Sequence, residues 1–545
     1  MTQDQDWWRT AVIYQVYPRS FADSDGDGIG DLPGITSRLE ALRELGVDAV
    51  WLSPFYVSPQ HDAGYDVADY TDVDSLFGTL ADFDALLAHA HELGMKLIVD
   101  IVPNHSSNEH PWFQAALKAA PGSVERARYL FRDGRGAGGD VPPNNWQSVF
   151  GGPAWTRVTE ADGTQGQWYL HLFDTSQPDF DWTNSEVHEF FHAALRFWLD
   201  RGVDGFRIDV AHGLVKKPGL PDYVPAEGET IGARDADVPY WAQPGVHEIY
   251  REWHRVLAPY QPPRSLIGEA WVQPLTKLAN WVRPDELQQT FNFEFLETAW
   301  DAAALRRVVD GSLAAFGAVG APSTWVLSNH DVIRHPTRLA LTPPPPQGEG
   351  LGPTSPYHPA DVVGLRRARA ATAFMLALPG SAYLFQGEEL GLPEVIDLPD
   401  TARQDPTFFR TGGENYGRDG ARVPIPWRAG EPSGGFGPTQ ASWLPQPSWW
   451  ADYARDGQAG IPGSTLEFYR AAIALRREHG LASNALEWMM PSPDPDTLVF
   501  RSGAVTVVAN AGARPVPLPA GRVALASGPV GDGVLPGDTT VWLVD

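Results

Sequence analysis

Arg207 and Asp209 stand two residues apart in Gly202-Val-Asp-Gly-Phe-Arg-Ile-Asp-Val210, a short apolar run interrupted by side chains that can do chemistry. In a strand, alternate side chains share a face, so the guanidinium and the carboxylate point the same way. Such a pair at a strand end is expected to keep the acid ionised. By itself it reads as a structural salt bridge. Other strands that end in polar groups change this: Asp100-Ile-Val-Pro-Asn104-His105, Gly268-Glu269-Ala270 and Ser328-Asn329-His330-Asp331, with Gly64-Tyr65-Asp66 following an earlier strand. Several such ends in register converge on one mouth. Asp209, Glu269 and Asp331 then form a set of acids beside His105, His330 and Arg207. Paired carboxyl groups across a polar mouth suit glycosidic cleavage. One stays ionised to attack the anomeric carbon, and the other stays protonated to release the leaving alcohol. No His-x-His follows the first strand and no His-Glu-x-x-His occurs, which disfavours metal hydrolysis. No Gly-x-Ser-x-Gly turn marks a serine nucleophile.

The elements that must position these groups alternate along the chain. Strands are expected at 11–17, 48–53, 95–102, 205–210, 265–268, 287–293, 324–328 and 382–385. Helical periodicity lies between or after them at 35–45, 80–93, 185–201, 246–257, 295–309, 361–377 and 464–479. Mostly apolar strands separated by helices indicate a parallel sheet buried on both faces, and eight of them predict an α/β fold closed into a (β/α)8 TIM barrel. A doubly wound open sheet is the alternative, but no Gly-rich dinucleotide turn follows the first strand. The predicted organisation is a first barrel part at 1–103, a small domain B inserted after strand three at 104–180, and a second barrel part at 181–480. That second part includes a long excursion near 386–462. Beyond 481 the helical pattern stops, and short strands at 497–501, 505–509 and 540–544 predict a C-terminal antiparallel β-sandwich domain over 481–545. The Pro/Gly-rich segment 342–360 reads as a loop near the mouth.

The 545 residues include no cysteine, so there is neither a disulfide framework nor a thiolate metal site. A net charge of −27 repels nucleic acid and anionic membranes. No apolar run is long enough to span a bilayer, and the start Met1-Thr-Gln-Asp-Gln-Asp lacks a secretory plan, so a cytoplasmic location is expected. In Asp23-Ser-Asp-Gly-Asp-Gly-Ile-Gly-Asp31, Asp23, Asp25 and Asp27 fall at positions one, three and five of a calcium-loop pattern. Gly28 makes the turn, Ile29 offers a carbonyl and Asp31 a further oxygen. Gly34 stands where an EF-hand carries its Glu, so the turn is not an EF-hand. It is expected to hold a structural Ca²⁺, since carboxylates this close repel without a cation; a bare acidic turn is the other reading.

Asp100-x-Val-x-Asn104-His105, Gly205-Phe-Arg207-x-Asp209, Glu269 and Asn329-His330-Asp331 resemble, in order, the four motifs of the α-amylase family, glycoside hydrolase family 13. Gln177-Pro-Asp-Phe-Asp-Trp182 is similar to the fifth motif of its α-glucosidase and oligo-1,6-glucosidase branch. So are Tyr14-Gln-Val-Tyr-Pro-Arg-Ser-Phe21 and Arg418-Asp-Gly-Ala-Arg422-Val-Pro. The resemblance implies that Asp209 is the nucleophile, Glu269 the acid and then base, and Asp331 the holder of the sugar 2- and 3-hydroxyls. It implies hydroxyl contacts from His105 and His330, a stacking Tyr65, and Asp62 with Arg422 closing the pocket over the non-reducing end. A closed pocket implies exo-cleavage of short α-glucosides of the maltose or isomaltose type, with no organic cofactor. In relatives, Val after the nucleophile, here Val210, tends to accompany α-1,6 cleavage, although Val210-Ala-His-Gly-Leu also resembles α-1,4-active enzymes. A transglycosylase or isomerase of the trehalose synthase or sucrose isomerase type shares the fold. A non-catalytic barrel protein is the remote alternative, disfavoured because all three acids are present.

Overall fold

In the computed structural model, described for residues 6–160, 162–224, 237–341, 345, 348–356, 361–489, 492, 494–531 and 533–544, eight parallel strands surround one axis. They are β1 (Val12–Val16), β2 (Ala49–Leu52), β3 (Lys96–Ile101), β4 (Gly205–Ile208), β5 (Ser265–Gly268), β6 (Gln289–Thr290), β7 (Thr324–Val326) and β8 (Ser381–Phe385). Neighbours in sequence order pair with each other except at one place, and β1 pairs with both β2 and β8. Between β6 and β7 no ladder forms, and the Asn292 amide donating to the Thr324 carbonyl at 3.3 Å spans the gap. The predicted TIM barrel is therefore present and nearly closed.

Strand periodicity divides the core into two layers. Ile13, Trp51, Ile98, Ile267, Val326 and Tyr383 fill the barrel interior. Their neighbours Val12, Tyr14, Val50, Leu97, Val99, Phe206 and Leu266 join the larger cluster shared with the surrounding helices. The inward face is the one that matters for chemistry. Two residues beyond Ile98 lies Asp100, two beyond Gly205 lies Arg207, and two beyond Ile267 lies Glu269.

Helices Ser185–Arg201 and Val246–Leu257 have the predicted bounds. The first is capped by the Asn184 side chain and ends at Gly202 with φ of 108°, where a glycine is favoured. Three other expectations are corrected. The helix expected at 35–45 is split into Leu32–Thr36 and Leu39–Leu45, because Asp31 caps an earlier start and a turn at Ser37 and Arg38 separates the two. The strand expected at 287–293 shrinks to Gln289–Thr290. The helix after it divides into Phe293–Glu297 and Ala302–Ala318, the second capped by Asp301.

Between β3 and β4, strands Phe131–Arg132, Trp155–Thr159 and Gln165–Leu170 form a small antiparallel sheet. Isolated bridges from His105 to Asp179 and from Tyr129 to Phe180 tie this insertion to the barrel mouth. At the C-terminal end a five-stranded antiparallel sheet runs in the order Leu486–Trp488, Thr497–Ser502, Val505–Asn510, Thr539–Val544, Arg522–Ala526. One face meets the short ladder Val516–Pro517 with Val534–Leu535 through Val499, Val508, Val541 and Leu543. The other meets barrel helix Asp361–Leu376, where the Trp542 indole donates to the Ala373 carbonyl at 3.0 Å. Part of the Pro-rich segment 342–360 lies outside the described residues; 348–356 pack against Tyr416 and Gly417. Among the described residues no helix is long and apolar enough to cross a membrane.

Candidate active site

Arg207 is the hub of the mouth. Its Nη1 donates to Asp100 Oδ1 at 3.0 Å and to Asp209 Oδ1 at 2.8 Å, and its Nη2 lies 2.7 Å from Glu269 Oε2. Three carboxyl groups from the ends of β3, β4 and β5 thus share one buried guanidinium. The expected ion pair of Arg207 with Asp209 forms: burial, and then Glu269, Asp100 and Asp331, raise the Asp209 carboxyl, while Arg207 opposes them and favours the ionised form. Burial likewise pushes Asp100 up to about 7. Burial and mutual repulsion thus raise the proton affinity of Asp100 and Asp209 against the pull of the one guanidinium they share.

Glu269 is held from three sides. Oε2 also accepts the Val210 amide at 3.0 Å, and Oε1 accepts the Trp271 indole N–H at 2.9 Å. Val210 adopts φ of 45°, a left-handed conformation unusual for a β-branched residue. Its strained peptide aims an amide at Glu269, and strain of this kind costs on the order of 1–3 kcal/mol.

Asp331 sits opposite, with Oδ1 accepting from Arg418 Nη1 at 3.0 Å and from Arg422 Nη2 at 2.9 Å. Burial opposes its charge, but the guanidinium groups of Arg418 and Arg422 outweigh that and hold the carboxyl well below the ordinary range. His330 stacks on Tyr65 at 5.2 Å between ring centroids, and its Nε2 lies 3.2 Å from Asp331 Oδ2. Tyr65 donates to Asp100 Oδ2 at 3.2 Å. Burial pushes His105 down to about 4 and His330 well below its usual value, so both rings are neutral. Neutral imidazoles can donate to and accept from hydroxyls, as a neutral polar ligand needs.

All nine predicted catalytic and substrate-binding positions converge on this mouth. The direct partner of Asp62 is Arg418, through Nη2 at 2.9 Å, while Arg422 Nε donates to the His330 carbonyl. The two arginines lie one helical turn apart, and only the packed excursion decides which one reaches which acid. Arg418 also bonds Asp405 at 2.6 Å and lies over the Phe150 ring at 4.9 Å. Gln177 Nε2 joins Asp62 Oδ2 to His105 at 3.0 and 3.1 Å. Arg418 and Gln177 were visible only as members of motifs. Asp100 had a usable signal, being the inward residue two places beyond Ile98. For Trp271 and Phe150 we find no sequence signal.

The acidic turn divides its predicted ligands. Carboxylate oxygens of Asp23, Asp25 and Asp27 lie within 4.8 Å of one another, with Gly28 at φ of 95°. Asp31 is engaged elsewhere, since its Oδ1 caps the helix through the Gly34 amide at 2.6 Å and its Oδ2 accepts from Ser24. Ile29 donates its amide to Asp27 Oδ1 at 2.7 Å. Three hard oxygen donors in one turn fit a calcium-like cation.

Comparison with known proteins agrees with this geometry. A family model described as the α-amylase catalytic domain matches residues 15–485. A probable α-glucosidase of Rhizobium meliloti is 38% identical over 503 residues, 89% of this chain and 85% of that protein. The oligo-1,6-glucosidase of Parageobacillus thermoglucosidasius is 35% identical over 509 residues, 87% and 84% of the two chains. Among solved structures, the α-glucosyl transfer enzyme XgtA superposes with a TM-score of 0.84 at 35% identity, covering 99% of each chain. The trehalulose synthase MutB of Pseudomonas mesoacidophila gives 0.82 at 31%, again over 99% of each. With the motifs, the barrel and the converging acids, these matches show that the chain belongs to the α-amylase family, glycoside hydrolase family 13, as an enzyme of glycoside hydrolase type.

Proposed function

We propose that this enzyme is a retaining exo-α-glucosidase that releases glucose from the non-reducing end of short α-glucosides. The observation that carries the reading is the shared guanidinium. Asp209 and Glu269, from adjacent strand ends, bind neighbouring nitrogens of Arg207. Carboxyls held this way are near neighbours, as the roughly 5–5.5 Å of a double displacement requires. Asp209 attacks C1 while the exocyclic C1–O bond breaks, and Glu269 gives its proton to the departing oxygen. The β-glucosyl ester on Asp209 then yields to a water deprotonated by Glu269, which restores both carboxyls. Asp331, His105 and His330 bind ring hydroxyls, and Tyr65 stacks on the sugar. The Asp62–Arg418 pair ends the pocket, which favours removal of one terminal glucose. Asp23, Asp25 and Asp27 would hold Ca²⁺ in a structural role.

The test is NMR of the first product from maltose and isomaltose. Glucose should appear as the α-anomer, and Asp209→Asn should lower kcat by about three orders of magnitude or more. Initial β-glucose, or near-normal turnover in the variant, would reject the mechanism. A second reading is favoured by the structural likeness to XgtA and trehalulose synthase: a sugar in place of water at the second step. Isomeric disaccharides exceeding free glucose at low substrate concentration would select it. The ratio of rates on maltose and isomaltose sets the linkage preference.

A further inference from the structure

Arg410 lies outside every motif that carries the chemistry, yet it joins two segments that also meet at the pocket wall. It sits at the end of helix Pro406–Arg410, eight residues before Arg418. Its Nε donates to the Gly151 carbonyl at 2.8 Å, its Nη2 to the Pro153 carbonyl at 3.4 Å, and its Nη1 reaches Asp174 Oδ1 at 3.3 Å. The acceptors belong to the inserted domain and the donor to the excursion after β8. The approach is close, since a Cβ on Gly152 would lie 3.5 Å from Arg410 Nη2 and one on Gly151 would lie 3.4 Å from Thr411. Phe150, in the same turn, supports Arg418, whose guanidinium pairs with Asp62 and Asp331. The Asp174 amide donates to Gln177 Oε1, and Gln177 reaches Asp62 and His105. Arg410 therefore holds both ends of the structure that positions the Asp62–Arg418 pair.

We propose that Arg410 is a positioning residue for substrate specificity: it clasps the excursion onto the inserted domain and so fixes the wall that stops a glucoside at its terminal ring. The proposal deepens the exo-glucosidase reading and rests on it. Arg410 touches none of the reacting groups, so its loss acts on binding and on substrate reach, with the displacement chemistry left to Asp209 and Glu269. A guanidinium offers a fork to several carbonyls at once, whereas an ammonium offers a point charge, so lysine restores only part of the clasp.

The experiment uses the full-length enzyme as wild type, Arg410→Ala and Arg410→Lys, with 4-nitrophenyl α-glucoside as substrate. Arg410→Ala should raise KM by about fivefold or more, the size expected for losing a charge-assisted hydrogen bond, with kcat changed by less than about twofold. Arg410→Lys should fall between. A 4-nitrophenyl maltoheptaoside blocked at its non-reducing end should be cut by Arg410→Ala and resisted by wild type. Unchanged KM and continued resistance in a folded Arg410→Ala overturn the proposal. So does a joint fall of kcat and melting temperature in both variants without a rise in KM, which marks a contact that only supports the fold. Glucose release by wild type from maltose and isomaltose reads the underlying function separately. If wild type releases none, the glucosidase reading fails, and glucose affinity from tryptophan fluorescence still reports the clasp.

Discussion

Glu269 accepts two hydrogen bonds in the resting site, from Val210 and Trp271, and forms an ion pair with Arg207, so all three partners carry donors. A carboxyl that accepts from every side and must also deliver a proton is the most sensitive point in the proposed mechanism. Glu269→Gln keeps the shape but cannot give the proton. It should slow maltose, with its poor leaving group, by about 10²–10⁴-fold. It should slow 4-nitrophenyl α-glucoside far less, because nitrophenolate leaves without protonation; equal losses on both would remove Glu269 from the acid role. Asp100 gives a stability prediction at the same scale. Its folded carboxyl is pushed up to about 7, while an unfolded Asp titrates near 4. Folding therefore retains a proton that the unfolded chain releases. The contribution from Asp100 is complete below about pH 4 and is lost as pH rises to about 7. Asp100→Asn removes this pH dependence. Its melting temperature relative to wild type should climb steadily between about pH 4 and pH 7, whatever the fixed cost of the lost Arg207 contact. A difference flat with pH would show that Asp100 titrates normally.

Strands place these residues more strictly than the residues place each other. β4 and β5 run in register from Gly205 opposite Ser265 to Ile208 opposite Gly268, and their next residues in line carry Asp209 and Glu269. A Cβ on Gly205 would meet the Ser265 carbonyl oxygen at 2.6 Å, against backbone that cannot swing aside. Gly205→Ala should therefore spread the two strands, costing on the order of 1–3 kcal/mol of stability and lowering kcat through the misplaced acid pair. Wild-type kcat together with a wild-type melting curve would show that the pairing absorbs the methyl. This element logic also explains what was legible in the sequence. Periodicity of two located β3, β4 and β5 and so predicted which acids share a mouth, since a one-residue error would turn every one of them outward. β6, with only Gln289–Thr290 in the ladder, had no such pattern, and its expected span was too long. Arg418 and Arg422 shared one motif and one charge. Choosing between them for Asp62 required the path of the excursion, which no local spacing encodes. Val210 as the holder of Glu269 was equally hidden, because a positive φ in a valine contradicts its own preference and exists only where the surrounding fold imposes it.

At the scale of the whole molecule, the acidic turn and the mouth belong to the same framework without sharing atoms. The turn after β1 is fastened to the excursion that also carries Arg410 and Arg418. The Asp23 amide donates to the Phe436 carbonyl at 2.8 Å, and the Trp443 amide to the Gly28 carbonyl at 2.9 Å. Thr439 Oγ1 donates to the Gly26 carbonyl at 2.8 Å. Asp23 is buried, and burial together with Asp27 and Asp25 raises its carboxyl despite the amide hydrogen bonds from Gly26 and Gly28. A cation would remove that repulsion and tighten the fastening. Binding to the folded chain alone stabilises by about 2.7 kcal/mol at a hundred times Kd. For a chain this long, each kcal/mol moves the melting temperature by about 2 °C or less. A strong chelator should therefore lower the melting temperature by a few degrees, and added Ca²⁺ should restore it. Below the melting transition, kcat and KM should be the same with and without chelator, because no group at the mouth is a ligand. Loss of activity in the folded enzyme would place the metal in the chemistry. An unchanged melting curve would mean that the turn is held by its own amide hydrogen bonds, with its three carboxylates bare.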